Sequence, residues 1–171
     1  MVATAKKVGE GRYRESFGRT YEDFTVGDVY EHRPGRTITE TDNTWFTLLT
    51  MNKHPLHFDQ EYARHSEFGR CIVASPFTVA LLAGMSVSDV SQKAIANLGW
   101  TDIKLTHPVY PGDTLYAESE VLAKRESKSR PKLGLVKVRT RGTQQEGKLV
   151  IEYSRTVMVW KRAFAPRRAP T

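Results

Sequence analysis

Between Asn52 and Asp59 the chain reads Asn-Lys-His-Pro-Leu-His-Phe-Asp, which places an amide, two imidazoles and a carboxylate in one short stretch. An imidazole changes charge close to neutral pH, so His54 and His57 are candidates to take and return a proton. The Asn52 amide cannot take one; it can only orient water or substrate through hydrogen bonds. Pro55 excludes an α-helix through the centre of the stretch, and it biases His54 towards extended geometry. The polar groups are therefore displayed on a stiff, non-helical loop. His54, His57 and Asp59 also form a set of ligand types that zinc accepts. However, Pro55 breaks the helical presentation common to two-histidine metal motifs and no second cluster is evident, so neither metal nor cofactor is expected.

The elements that must hold this loop are legible on both sides of it. Thr39-Glu-Thr-Asp42 has capping-box spacing and opens a helix carrying Trp45, Phe46, Leu48 and Leu49. A short helix is expected over about 59–66, with Asp59 favourable at its N-terminus. Ser75-Pro76 then predicts a helix start, with a hydroxyl N-cap and proline at the first helical position. The residues from Phe77 to Val87 are apolar on nearly every face, so this helix, about 75–87, should be buried. It is too short to span a membrane.

A sheet to cover that helix is predicted from the second half. Strands are expected over 97–105, 114–125, 134–143 and 149–160, after an earlier, edge-like strand over 29–38 interrupted by Pro34-Gly35. Val136, Val138 and Thr140 alternate with Lys137, Arg139 and Arg141, the pattern of one buried and one wet face. Pro111-Gly-Asp113 and Gln145-Glu-Gly147 supply turns. With no βαβ rhythm, the chain reads as a single α+β domain. Its expected organisation is a flexible N-terminal arm over 1–18, one domain over 19–162 and a flexible basic tail over 163–171.

Composition narrows the function classes. The chain has 171 residues, 39% hydrophobic and 26% charged, and a net charge of +7. That is ordinary for a soluble globular domain. No run approaches the ~20 apolar residues of a membrane helix. The first residues lack the apolar core of a secretory signal. The single cysteine, Cys71, rules out an internal disulfide and fits a reducing cytoplasm, where it reads as a small packed residue. Part of the excess charge lies near the ends, at Lys6, Lys7, Arg12, Arg14 and Arg19 and at Lys161, Arg162, Arg167 and Arg168, and reads as solvated tails. No nucleic-acid-binding motif accompanies it, so neither nucleic acid nor membrane is an expected partner.

Four segments, taken in order, resemble the MaoC-like (R)-specific enoyl-CoA hydratases, which have the hot-dog fold. Tyr21-Glu-Asp-Phe-Thr-Val-Gly-Asp28 is similar to that family's opening strand. Asn52-Lys-His-Pro-Leu-His57, with Ala63 after it, is similar to the hydratase motif D-x-N-P-(I/L)-H. Phe68 to Ser75 resembles the lead into the central helix, and His107-Pro-Val-Tyr-Pro-Gly-Asp113-Thr-Leu resembles the turn and strand P-V-(F/Y)-x-G-D-T-L.

The resemblance implies an antiparallel sheet wrapped around a central buried helix. It also implies reversible syn addition of water to a 2,3-enoyl-CoA, with His57 in the place of the catalytic histidine and the Ser75 backbone N–H at the thioester oxygen. Asn52 stands where the family has aspartate and His54 where it has asparagine, so proton transfer would rest on His57 alone or on His57 helped by His54 or Asp59. An Asn-x-His-Pro-Leu-His branch of the family is associated with branched or dicarboxylic acyl-CoAs such as mesaconyl- or itaconyl-CoA. Further implications are an acyl-CoA partner and a homodimer or larger even assembly. Lys124 and Arg130, in a basic cluster with Arg125, Lys128 and Lys132, are candidates for the CoA phosphates. A non-catalytic acyl-CoA-binding module and a thioesterase are the alternatives on the same fold.

Overall fold

A computed structural model describes residues 5–14 and 17–166. The remaining parts of the expected arm and tail (1–4, 15–16 and 167–171) lie outside the described residues. Within the arm, Lys6–Gly9 (β1) and Arg12–Arg14 (β2) pair as an antiparallel hairpin. The segment at Arg19 is not a solvated end. Its guanidinium is buried, bonds the Asp89 carboxylate at 2.9 Å and lies 3.8 Å over the Tyr30 ring. At the other end Lys161 pairs with Glu126, and Arg162 pairs with Asp23.

Five strands form one antiparallel sheet in the order β3-β5-β6-β7-β4. They are β3 (Val29–Thr37), β4 (Ala94–Leu105), β5 (Thr114–Glu126), β6 (Leu133–Gln144) and β7 (Leu149–Trp160). All five were expected to within a few residues. In β3, Pro34 and Gly35 fall between paired His32 and Arg36, where the register shifts, so this edge strand tolerates a residue without an N–H.

The sheet curves around the helix α3 (Ser75–Met85), which continues as a π-helical turn over Val87–Ser91. Leu82 and Thr78 are fully covered, while Phe77, Val79, Leu81 and Met85 pack half-buried against the same core. Gly142 lets β6 approach the helix closely: a Cβ there would run into the Leu82 side chain. The all-round apolar character of α3 is thus only partly used within one chain, because Ala80, Gly84 and Val87 remain exposed. Two further helices precede it, α1 (Glu40–Thr50) and α2 (Gln60–Arg64). Among the described residues no helix is long and apolar enough to cross a membrane.

Candidate active site

Helix α1 starts as its capping box predicts. Thr39 Oγ1 accepts the Asp42 N–H at 3.1 Å, and the Asp42 carboxylate accepts the Thr39 N–H at 2.8 Å. The helix ends at Met51, whose left-handed backbone (φ 56°) turns the chain out of the helix and delivers Asn52 into the loop. The Asn52 N–H still reaches back to the Thr47 carbonyl at 2.9 Å. Its Oδ1 accepts the His54 N–H at 3.1 Å, which leaves the amide NH2 as the group that faces outwards. Pro55–His57 form a single 3₁₀ turn in place of an α-helix.

The two histidines of the loop are anchored oppositely. His57 Nδ1 lies 3.0 Å from the Ile72 carbonyl, and a carbonyl only accepts, so the proton sits on Nδ1 and Nε2 keeps its lone pair. His54 Nδ1 accepts the Leu56 N–H at 3.2 Å, so in the neutral ring the proton sits on Nε2. The rings are 5.7 Å apart. His57 is therefore presented as a base and His54 as a hydrogen-bond donor. Asp59 takes neither part: its Oδ1 caps α2 by accepting the Tyr62 N–H at 3.0 Å.

At the start of α3 the structure shifts the expected cap by one residue. Ala74 is the N-cap, Ser75 the first helical residue and Pro76 the second. The helix has no side-chain cap, because alanine offers no acceptor; the Ala74 N–H itself is held by Asn43 Oδ1 at 2.9 Å. Pro76 has no N–H, and the Phe77 N–H closes on the Ala74 carbonyl. The Ser75 N–H is thereby left as the first-turn donor with no acceptor among the described residues, at the positive end of the helix dipole. This is the kind of fixed, preorganised donor that stabilises a developing oxyanion.

Lys124 and Arg130 lie elsewhere. The Lys124 ammonium is held by the Phe24 carbonyl at 2.5 Å and the Tyr21 carbonyl at 3.4 Å. Arg130 is exposed in the turn between β5 and β6. Strand β5 begins beside the loop that binds Val73 through the Val109 carbonyl, and Lys124 is ten residues along it. At ~3.3 Å per residue that is about 33 Å of strand. Cys71 is half-buried and its thiol is pushed up by burial and by the nearby carboxylates of Glu40 and Asp59, which disfavours the thiolate.

Sequence reasoning missed Asn43. It is 1% exposed, and its amide NH2 donates to the His57 carbonyl at 2.8 Å and the Ile72 carbonyl at 3.0 Å. The available signal was weak: Asn43 and Thr47 share one stripe of a helix whose larger apolar residues Trp45, Leu48 and Leu49 are exposed. A second polar cluster, Ser119, His32 and Asp89, was also missed, because its members are far apart in sequence.

A five-stranded sheet around one helix is the hot-dog architecture that the motifs resemble, and the histidine loop lies beside that helix's N-terminus. The match to known proteins is consistent with this. The family model described as Mesaconyl-CoA hydratase matches residues 4–170, and the chain belongs to that family. It is 39% identical over 155 residues to the Mesaconyl-CoA hydratase of Cereibacter sphaeroides, covering 90% of this chain and 45% of the relative. The solved MaoC-like dehydratase of Rhodospirillum rubrum superposes with a TM-score of 0.75 at 30% identity, over 85% of this chain and 99% of the other. A Mycobacterium tuberculosis protein described as having a double hotdog fold shares the fold, with a TM-score of 0.78 at 22% identity over 90% of this chain and 47% of the other. The chain thus spans less than half the length of the first curated relatives it matches.

Proposed function

We propose that this chain is an enoyl-CoA hydratase, equally a 3-hydroxyacyl-CoA dehydratase, acting on a branched or dicarboxylic acyl-CoA, with mesaconyl-CoA the first substrate to test and itaconyl-CoA the second. The observation that carries the reading is the joint presentation of a free His57 Nε2 and a free Ser75 N–H, both tied to the segment 72–75. Water held by the Asn52 amide and His57 Nε2 adds its oxygen to the β-carbon while His57 takes one proton. The electron pair moves through the α-carbon onto the thioester oxygen, where the Ser75 N–H meets the charge. The imidazolium then returns the proton to the α-carbon from the same face, which gives syn addition and regenerates the neutral ring. His54 contributes a hydrogen bond from Nε2, to water or substrate, and transfers no proton.

The loop face is open in a single chain: Trp45, Leu48, Leu49, Met51, Phe58 and Tyr62 are exposed beside it. Strand β4 is a sheet edge carrying exposed Ile95, Leu98, Trp100, Ile103 and Leu105. An apolar edge of that length calls for a partner, and a two-fold homodimer or larger even assembly is the simplest one. An antiparallel β4–β4 pairing would turn the second copy's β5–β6 turn towards this end of the sheet. In such an assembly Arg130, with Lys124 behind it, would be available to the CoA phosphates. Light scattering at micromolar concentration tests the assembly, and a stable monomer would end it. We place the protein in the cytoplasm, where its lone cysteine would stay reduced.

The test of function is a screen of linear, branched and dicarboxylic enoyl-CoAs, following 3-hydroxyacyl-CoA and free CoA together. Hydroxyacyl-CoA without CoA release supports the hydratase. Release of CoA identifies a thioesterase, and ester binding without turnover identifies a binding module.

A further inference from the structure

We infer that Asn43 is a positioning residue that locks the proton-transfer histidine and the oxyanion-binding N–H into one rigid unit. The inference rests on the hydratase reading given above for what the unit does, but not for the geometry. The Asn43 side chain makes three hydrogen bonds to three separate pieces of the site. One amide hydrogen goes to the carbonyl of His57 itself, at 2.8 Å, and the other to the Ile72 carbonyl, at 3.0 Å. Its oxygen receives the Ala74 N–H, the residue immediately before Ser75, at 2.9 Å. The partners also fix the orientation of the amide. A flipped side chain would set its NH2 against the Ala74 N–H and its oxygen against two carbonyls.

The Ile72 carbonyl is the hinge of the argument. It accepts from Asn43 and from His57 Nδ1, so both of its lone pairs are engaged. The same oxygen that dictates the His57 tautomer is thus itself held in place by Asn43. Without that second bond the carbonyl is free to rotate out of the imidazole plane, and the ring loses both its tautomer preference and its aim. Other polar side chains do not reproduce the pattern: aspartate, close in shape, keeps the acceptor for Ala74 but opposes a carboxylate to two carbonyls, and serine has a single donor for those two carbonyls. The site is buried, and a broken bond there would strand polar atoms away from water. A purely structural staple would predict the same burial, so the test must read something other than stability.

The experiment takes the whole protein and its Asn43→Ser, Asn43→Asp and His57→Ala variants, with the doubly substituted His57→Ala/Asn43→Ser. Ring ¹⁵N shifts of His57 at a pH where it is neutral report the tautomer without any assay. Initial rates of mesaconyl-CoA hydration give kcat and KM. The expected result is a pure Nδ1–H tautomer in the wild-type protein and a mixture in the Asn43 variants. Their kcat should fall by about 10- to 100-fold, the scale of a misplaced catalytic group, with KM within about threefold. In the His57→Ala background the Asn43 change should cost less kcat than in the wild-type background, the remaining loss being its effect on the Ser75 N–H. Wild-type His57 protonated on Nε2 would overturn the inference even if no Asn43 variant folds. A folded Asn43 variant with a pure Nδ1–H tautomer and unchanged kcat would overturn it as well. If His57→Ala hydrates mesaconyl-CoA as fast as the wild-type protein, the hydratase reading fails instead, and the ¹⁵N result still decides whether Asn43 holds the ring.

Discussion

His57 and His32 are both donors through Nδ1, and they have opposite fates. His57 gives its Nδ1 proton to a carbonyl, is half-buried, and leaves Nε2 free. His32 sits inside the sheet at 1% exposure with both nitrogens engaged. Its Nδ1 donates to Asp89 Oδ2 at 3.0 Å, and its Nε2 accepts from Ser119 Oγ at 2.8 Å. Ser119 in turn accepts from Thr140 at 2.8 Å. Serine, histidine and aspartate thus stand in the order of a nucleophilic triad, yet the serine is fully buried and no substrate can reach it. The residue types are shared with catalytic sites; access and a free ring nitrogen are not. The buried set instead ties the segment at Arg19, through Asp89, to the π-helical turn that follows α3.

This contrast can be strained from either side. The largest effect on the fold is expected from Leu82→Ala, which empties the contact between α3 and Gly142 and should cost about 2–5 kcal/mol in denaturant unfolding. Leu81→Ala should cost less, because Leu81 is only half-buried. His32→Ala comes next, at about 2–4 kcal/mol from stranded Asp89 and Ser119 groups plus a cavity, and the folded fraction should keep its kcat. A His32 variant that loses turnover at full stability would erase the distinction between the two histidines.

The smallest effect is a pH dependence. Burial pushes the His32 imidazole below its ordinary value, against the opposing pull of Asp89. Burial also pushes the Asp89 carboxyl upwards, but its hydrogen bonds from Arg19 and His32 outweigh this and hold it below the usual carboxylate range. In both cases the unfolded state binds protons more readily, so stability should fall as pH drops. The loss should begin near the ordinary imidazole pKa as unfolded His32 takes up a proton, and should continue into the acid range as Asp89 is protonated. His32→Gln should flatten the upper part of that profile and leave the lower part. A profile unchanged by the substitution would remove His32 as its cause.

How much of this was legible in sequence depends on whether the information is local. The capping box at Thr39, the turn at Pro55 and the alternation in β6 each depend on near neighbours, and each element lies where it was expected. The loop with Asn52, His54 and His57 stood out as a candidate for the same reason. The Ser75 cap was misplaced by one residue: the helix starts at Ser75 with Ala74 as its N-cap, and the Ala74 N–H is held by Asn43, thirty-one residues earlier in the chain. Asn43 and the His32–Asp89–Ser119 set were invisible because their partners meet only across the packed core. The phosphate candidates Lys124 and Arg130 rest on a basic cluster at a predicted turn, and neither charge nor a turn tells how far along the sheet it lies from the loop.

The most direct measurement is the rate of mesaconyl-CoA hydration by His57→Ala against the wild-type protein, with CoA-ester binding measured on the same samples. If His57 alone moves the proton, turnover should fall by about 10²–10⁴-fold while binding and the folded state persist. An unchanged rate in a folded His57→Ala protein would contradict the account at its centre.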